Sequence, residues 1–344
     1  MAGRHISPTF ANVLVTGGAG YIGSVLVPRL LSAGHRVRVL DLYVFGRDTL
    51  AAVRGHSALE EIEGDIRHTE VLADALTGID AVIHLACLSN DPSCELDPAL
   101  TRAINYDSFE PFLRLSRERG VKRFIFASSS SVYGISDAAR VTEDHPLRPV
   151  SLYNQYKGMC EEILFRHQSE AFTTVAIRPA TICGTSPRQR LDLTVNILTA
   201  HAVERGQITV HGGTQQRPNL HIDDMVDLYE LLLQLPSEIV AGQAFNAAYR
   251  NHTVAEVAGI VQQIVQRAMP ERGDVAIMTT ASTDPRSYRV CTDKIHKRLG
   301  YVPRRGIEEA VGDLIAAFRA GRLPGAMTDA RYYNVRRMQE IQLR

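Results

Sequence analysis

Through the first half of the chain, short apolar runs alternate with stretches in which apolar residues recur every three to four positions. The runs predict strands over 12–16, 37–41, 59–63, 81–85, 123–128 and 174–178. The periodic stretches predict helices over 22–32, 70–76, 100–119 and 152–167. Runs such as Ala81-Val82-Ile83 lack the alternation of a strand with one wet face, so both faces of the sheet are expected to be covered. Strand–helix–strand units with right-handed crossovers then give an α/β fold built on a doubly wound parallel sheet.

Beyond Pro179 the pattern loosens. Glycines, prolines and polar residues fill 184–190 and 211–218, with helices expected at 195–205, 225–235, 254–269 and 307–320 and a short strand at 245–247. The expected division is a sheet domain over 11–180, to which 221–250 returns, and a smaller interleaved lobe from 181–220 and 251–325. Residues 1–10 read as a loose arm, and 326–344, polar and basic, as a solvated tail or an arm for a partner.

The first strand and helix meet in Val13-Leu14-Val15-Thr16-Gly17-Gly18-Ala19-Gly20-Tyr21-Ile22-Gly23-Ser24. Gly17 suits a sharp turn, Gly20 a close approach of backbone N–H groups to a pyrophosphate, and Gly23 close packing of helix on strand. The second strand ends in an acid, Asp41. Strand, glycine loop, helix, strand and acid together form a dinucleotide fingerprint, which makes the sheet Rossmann-type.

A second constellation follows. The fifth strand runs into Ser128-Ser129-Ser130-Ser131-Val132-Tyr133-Gly134, and the next helix opens with Tyr153-Asn154-Gln155-Tyr156-Lys157. Tyr153 and Lys157 are i and i+4 and share a helix face. A phenol with a pKa of about 10 is a poor base. A nearby ammonium and the positive nicotinamide ring favour the phenolate. A serine donating to the substrate oxygen completes a set suited to removing a proton from a secondary alcohol while hydride leaves its carbon.

Composition narrows the partners. The 344 residues carry 38 acidic and 38 basic side chains, without the basic excess that nucleic acid or an anionic membrane calls for. No apolar run is long enough to span a bilayer, and the first residues carry no signal-peptide core, so a cytoplasmic protein is expected. Cys87, Cys94, Cys160, Cys183 and Cys291 are dispersed, which points to reduced thiols and to no metal site.

The Thr16-Gly17-x-x-Gly20-x-x-Gly23 loop, the Ser129 cluster with Tyr133-Gly134, and Tyr153-x-x-x-Lys157 resemble the extended short-chain dehydrogenase/reductases. Within them the chain looks like the nucleotide-sugar epimerases and dehydratases, UDP-galactose 4-epimerase among them. The resemblance covers about 12 to 325. It implies NAD as cofactor, held by Gly17, Gly20, Tyr21, Ile22 and Gly23, with Asp41 accepting hydrogen bonds from the adenosine ribose and repelling a 2′-phosphate. Asp65 and Ile66 match the pair at the adenine, and Leu85 and Ala86 the strand end along the cofactor. Ser129 matches the catalytic serine, Tyr153 the base and Lys157 its assistant, both of the latter also touching the cofactor. Ser89, Ser130 and Thr181 fall at the sugar, and Asn105 at a helix position that braces the site loops. Asn196 and Arg217 match residues that bind the nucleotide diphosphate, and Arg286 and Arg289 are further candidates for that anion.

Two departures carry information. Dehydratases of this family place an Asp-Glu pair after the catalytic hydroxyl, where this chain has Ser130 and Ser131. Thr181 stands where many relatives carry an asparagine. The resemblance therefore implies an NAD-dependent epimerase of a nucleoside-diphosphate sugar, at C4 through a 4-keto sugar. A 4-keto-sugar reductase using NAD(P)H and a non-catalytic dinucleotide sensor remain open alternatives. A homodimer through a four-helix bundle formed by the 100–119 and 152–167 helices is also implied.

Overall fold

The computed structural model describes residues 9–282 and 286–343. Residues 1–8 of the expected arm, and Asp284 and Pro285, lie outside the described residues. Twelve strands are present among those described: β1 (Asn12–Thr16), β2 (Arg36–Asp41), β3 (Leu59–Glu63), β4 (Ala81–His84), β5 (Arg123–Ala127), β6 (Thr173–Pro179), β7 (Thr181–Cys183), β8 (Gln207–His211), β9 (Gln216–His221), β10 (Gln243–Ala247), β11 (Arg250–Thr253) and β12 (Ala276–Thr280).

Seven of them form one parallel sheet in the order β10-β6-β5-β4-β1-β2-β3. Because side chains alternate along a strand, β1 sends Val13 and Val15 to one face and Leu14 to the other, and all three are fully buried. The Val13 face packs on Leu26 and Leu30 of helix Gly23–Ser32 and on Leu228 and Leu232 of helix Ile222–Gln234. The opposite face, with Val82, Phe124 and Phe126, packs on Phe109, Phe112 and Leu164. Each such side chain contributes about 1.5–3 kcal/mol of burial, so the sheet needs both helical layers. The strand order reverses between β1 and β4, whose last residues, Thr16 and His84, are paired. That switch point opens a crevice at the carboxyl ends of the strands.

A separate core joins helices Thr194–Arg205, Val254–Ala268 and Ile307–Arg319. A three-stranded sheet, β11-β9-β7, and a pair, β12-β8, complete the second half.

Three expectations are corrected. The helix over 100–119 is interrupted: Pro98–Arg102 is α-helical, Ala103–Asp107 is a π-turn and Phe109–Glu118 is α-helical again. The second half holds five short strands, β7, β8, β9, β11 and β12, beyond the one expected at 245–247. The tail is docked: helix Asn334–Ile341 buries Asn334 and Met338, with Met338 joining the core on the Leu14 face. No helix among the described residues is long and apolar enough to cross a membrane.

Candidate functional site

A cavity of about 670 Å³ opens at the switch point. Of the site residues expected from sequence, Gly17, Gly20, Tyr21, Ile22, Gly23, Asp41, Asp65, Ile66, Leu85, Ala86, Ser89, Ser129, Ser130, Tyr153, Lys157, Thr181, Arg217 and Arg286 all line it. Asn196 does not: it is fully buried behind the wall, where its amide donates to Tyr21 Oη at 3.0 Å and Arg190 O at 2.8 Å and its carbonyl accepts from Gly184 N at 3.1 Å. Those bonds hold the 184–190 loop and leave nothing for a ligand.

At the glycine loop the backbone sets the geometry. Gly17 has φ +72°, and a Cβ there would lie 2.7 Å from Ala86 N. At Gly23 a Cβ would lie 2.6 Å from Gly18 Cα, so the helix start closes on the glycine loop only with glycine there. Asp41 accepts from Ala19 N at 2.9 Å and Tyr43 N at 2.8 Å, which fixes its carboxylate beside the loop. Burial pushes its pKa up against those hydrogen bonds. At Asp65 burial is outweighed by hydrogen bonds from Arg67, which hold the carboxyl below its ordinary value.

Across the crevice, β5 ends at Ala127 and the chain turns through Ser129, whose Oγ lies 2.6 Å from Ser131 Oγ. Ser130 Oγ lies 3.3 Å from Tyr288 Oη, and Ser131 donates to Asn154 Oδ1. Helix Leu152–Arg166 is N-capped by Ser151, which places Tyr153 and Lys157 in its first turns. Lys157 Nζ donates to Ala127 O at 2.5 Å and sits 4.7 Å from the Phe126 ring centre and 5.8 Å from that of Tyr153. The chain alone does not lower the Tyr153 pKa. Burial, with Cys87 and Cys94 adding to it, pushes the phenol well above its ordinary value. The same helix is pinned by Glu161, which pairs with Arg178 at 2.6 Å and accepts from Ser128. Asn105, in the π-turn, accepts from Leu88 N at 2.8 Å and donates to Leu88 O at 2.9 Å, bracing the loop after β4.

On the far wall, Arg217 donates to Arg286 O, and Arg286 pairs with Asp91. Residues not expected from sequence also reach the cavity: Phe45, Arg188, Arg190, Asp192, Tyr288 and, from the tail, Tyr333 to Arg336 and Met338. Two arginines in a glycine- and proline-rich stretch immediately after a strand were the available signal for Arg188 and Arg190.

A dinucleotide fits these residues. The glycine loop leaves backbone room, since only Gly17 O lies near a Cβ placed on Gly20, at 3.1 Å. The carboxylate of Asp41 faces the same cavity, and Arg188 Nε and Nη1 are buried without a hydrogen-bond partner among the described residues.

Comparisons with known proteins identify the family. The chain is 29% identical over 326 residues to the UDP-glucose 4-epimerase of Lactobacillus helveticus, covering 88% of this chain and 94% of that one. It is 28% identical over 325 residues to the dTDP-glucose 4,6-dehydratase of Streptomyces griseus, covering 90% and 95%. The structure of MoeE5 in complex with UDP-glucuronic acid and NAD superposes with a TM-score of 0.77 at 27% identity, over 90% of this chain and 99% of that one. With residues 13–248 matching the family directly, the chain belongs to the NAD-dependent epimerase/dehydratase family.

Proposed function

We propose that this enzyme is an NAD-dependent epimerase of a nucleoside-diphosphate hexose, acting at C4. The observation that carries the reading is the make-up of one wall. Ser129, Tyr153 and Lys157 line the same cavity as the glycine loop, while the two positions that hold acids in dehydratases of the family are serines engaged with Tyr288 and Asn154. An elimination lacks its acid and base there; oxidation and reduction of an alcohol do not need them.

When bound, NAD supplies the hydride acceptor and its reduced form returns the hydride. Tyr153 Oη takes the proton of the C4 hydroxyl and gives it back to the 4-keto sugar after the ring has turned. Ser129 Oγ donates to the same sugar oxygen. Lys157, anchored on Ala127 O, keeps its ammonium beside the tyrosine ring and stabilises the phenolate. Because burial alone raises the Tyr153 pKa, the positive charge of the bound cofactor is the second contribution that makes it a base. Arg217, with Arg286 behind it, binds the diphosphate of the substrate. Docking of the tail against the cavity favours a cofactor that stays bound through the cycle, as an epimerase requires and a reductase does not.

The two helices proposed to pair with a second copy carry Tyr106 and Tyr156, whose rings stack at 5.6 Å; a molar mass measured in solution tests that dimer. The reaction itself is tested by incubating the purified protein, with no added cofactor, with UDP-, dTDP-, GDP- and CDP-hexoses and resolving the epimers. Interconversion of one pair supports the reading. Failure with every pair, with oxidation of NAD(P)H by a 4-keto sugar instead, overturns it.

A further inference from the structure

Arg188 is 3% exposed, yet it belongs to no ion pair among the described residues. Its guanidinium carbon lies over Phe45, 3.5 Å from the ring centre, and one nitrogen donates to Asn334 Oδ1. Nε and Nη1 have no partner, and neither has Nη2 of Arg190 next to it. Arg190 has a carboxylate, Asp192 at 2.9 Å; Arg188 has none. Burial, with the charge of Arg190 beside it, pushes the Arg188 pKa down to about 9. A buried guanidinium at the wall of a cavity, with two donors unpaired, is costly unless an anion completes its surroundings.

The position of the loop identifies the anion. Arg188 N donates to Ser24 Oγ at 3.2 Å, and Ser186 Oγ donates to Tyr21 O at 2.7 Å. The 184–190 loop therefore rests on the first turn of helix Gly23–Ser32, whose N–H groups and positive end face the phosphates of a dinucleotide. Arg190 Nη1 lies 3.3 Å from Ser89 Oγ, and both arginines line the same cavity as Asp41, the glycine loop and the catalytic wall. A diphosphate bound at the glycine loop would share that cavity with both guanidinium groups.

We propose that Arg188 binds the diphosphate of NAD together with the glycine loop, and that Asn334 of the C-terminal segment is the positioning residue that holds its guanidinium. The segment is well placed for this. Asn334 N donates to Asp192 Oδ2 at 2.9 Å, its amide donates to Ser89 O at 3.1 Å, and Arg337 Nε donates to Val44 O at 2.6 Å. The tail thus ties together the loop after β2, the loop after β4 and the arginine loop. The proposal rests on the NAD dependence of the family and not on which sugar reaction the enzyme performs.

Titration calorimetry on the full-length chain, freed of dinucleotide, tests it with ADP, adenosine and UDP as probes. Arg188→Met is expected to weaken ADP by about 10–100-fold, the range for a lost charged hydrogen-bond partner, and adenosine by less than about twofold. Arg188→Lys, which keeps the charge without the fork, is expected to fall between. Asn334→Ala keeps the guanidinium but removes its anchor, and is expected to lower ADP affinity by about 3–10-fold with adenosine unchanged. It carries the test by the same ratio if Arg188→Met does not fold. UDP, the probe for the substrate diphosphate, is expected to bind all three variants as it binds the parent. Equal losses for ADP and adenosine, or a loss confined to UDP, overturn the assignment.

Discussion

Arg188 and Asn334, 146 residues apart in sequence, are joined by a hydrogen bond at the wall of the cavity. The bond links the loop after β7 to a tail whose polar sequence reads as solvated. Three regions meet at that wall: the glycine loop, the arginine loop and the C-terminal segment.

Cofactor choice follows from Asp41. Its carboxylate is fixed by Ala19 N and Tyr43 N, so it cannot swing away from a 2′-phosphate. NAD is expected to bind at least about tenfold more tightly than NADP, a difference of about 1.4 kcal/mol, and Asp41→Asn to narrow the gap. Parallel titrations decide this; NADP binding as tightly to the parent protein contradicts it.

Tyr153→Phe removes the proton acceptor and keeps the ring. Turnover is expected to drop by about 10²–10⁴ with NAD affinity intact. Tyr156, stacked on Tyr106 outside the cavity, is the control: Tyr156→Phe is expected to stay active. The reverse pattern in steady-state assays shows that the wrong tyrosine has been assigned.

Glu161 and Arg178 form a buried pair with side chains 3% and 7% exposed, beneath the helix that carries Tyr153 and Lys157. Removing one partner strands the other charge. Glu161→Ala is expected to destabilise the fold by about 3–5 kcal/mol, read in urea unfolding, with activity falling as the helix loosens. An unchanged unfolding midpoint would falsify the view that this pair anchors the catalytic helix.

How far the sequence reaches can be seen in particular elements. The strands of the main sheet are fully buried apolar runs, and a Gly17-x-x-Gly20-x-x-Gly23 turn admits few conformations, so both were legible. The break in the 100–119 helix was not: it coincides with the hydrogen bonds of Asn105 to Leu88, a tertiary contact with no local signature. Strand β9, with Gln216, Pro218 and His221, lacks any apolar alternation; its burial comes from the surrounding lobe. The tail misleads because its helix is short and mostly polar, so the burial of Asn334 and Met338 is lost in a composition that reads as solvated. Asn196 matched a family position, but in this chain its side chain is consumed by its own neighbours.

His84 gives a pH dependence. It is buried beside Thr16 Oγ1 at 2.7 Å, and burial, aided by the charge of Lys157, pulls its pKa down to about 3. A group whose folded pKa lies below its unfolded value takes up protons on unfolding. Stability is therefore complete above about pH 6.5 and falls as pH drops through the window from about 6.5 to 3. Between pH 6.5 and 5 the loss from this group is about 2 kcal/mol. His84→Gln is expected to flatten the profile of unfolding free energy over that window; an equally steep profile in the variant assigns the acid sensitivity elsewhere.

The central claim is that hydride leaves the sugar and returns to it within one closed site. The most direct measurement uses protein carrying only its bound NAD, no added cofactor, and the active nucleotide hexose deuterated at C4. Mass and NMR analysis of the two epimers at equilibrium is expected to find the deuterium retained on C4 of both. Loss of the deuterium to solvent, or formation of product only when NAD(P)H is supplied in stoichiometric amount, contradicts the account.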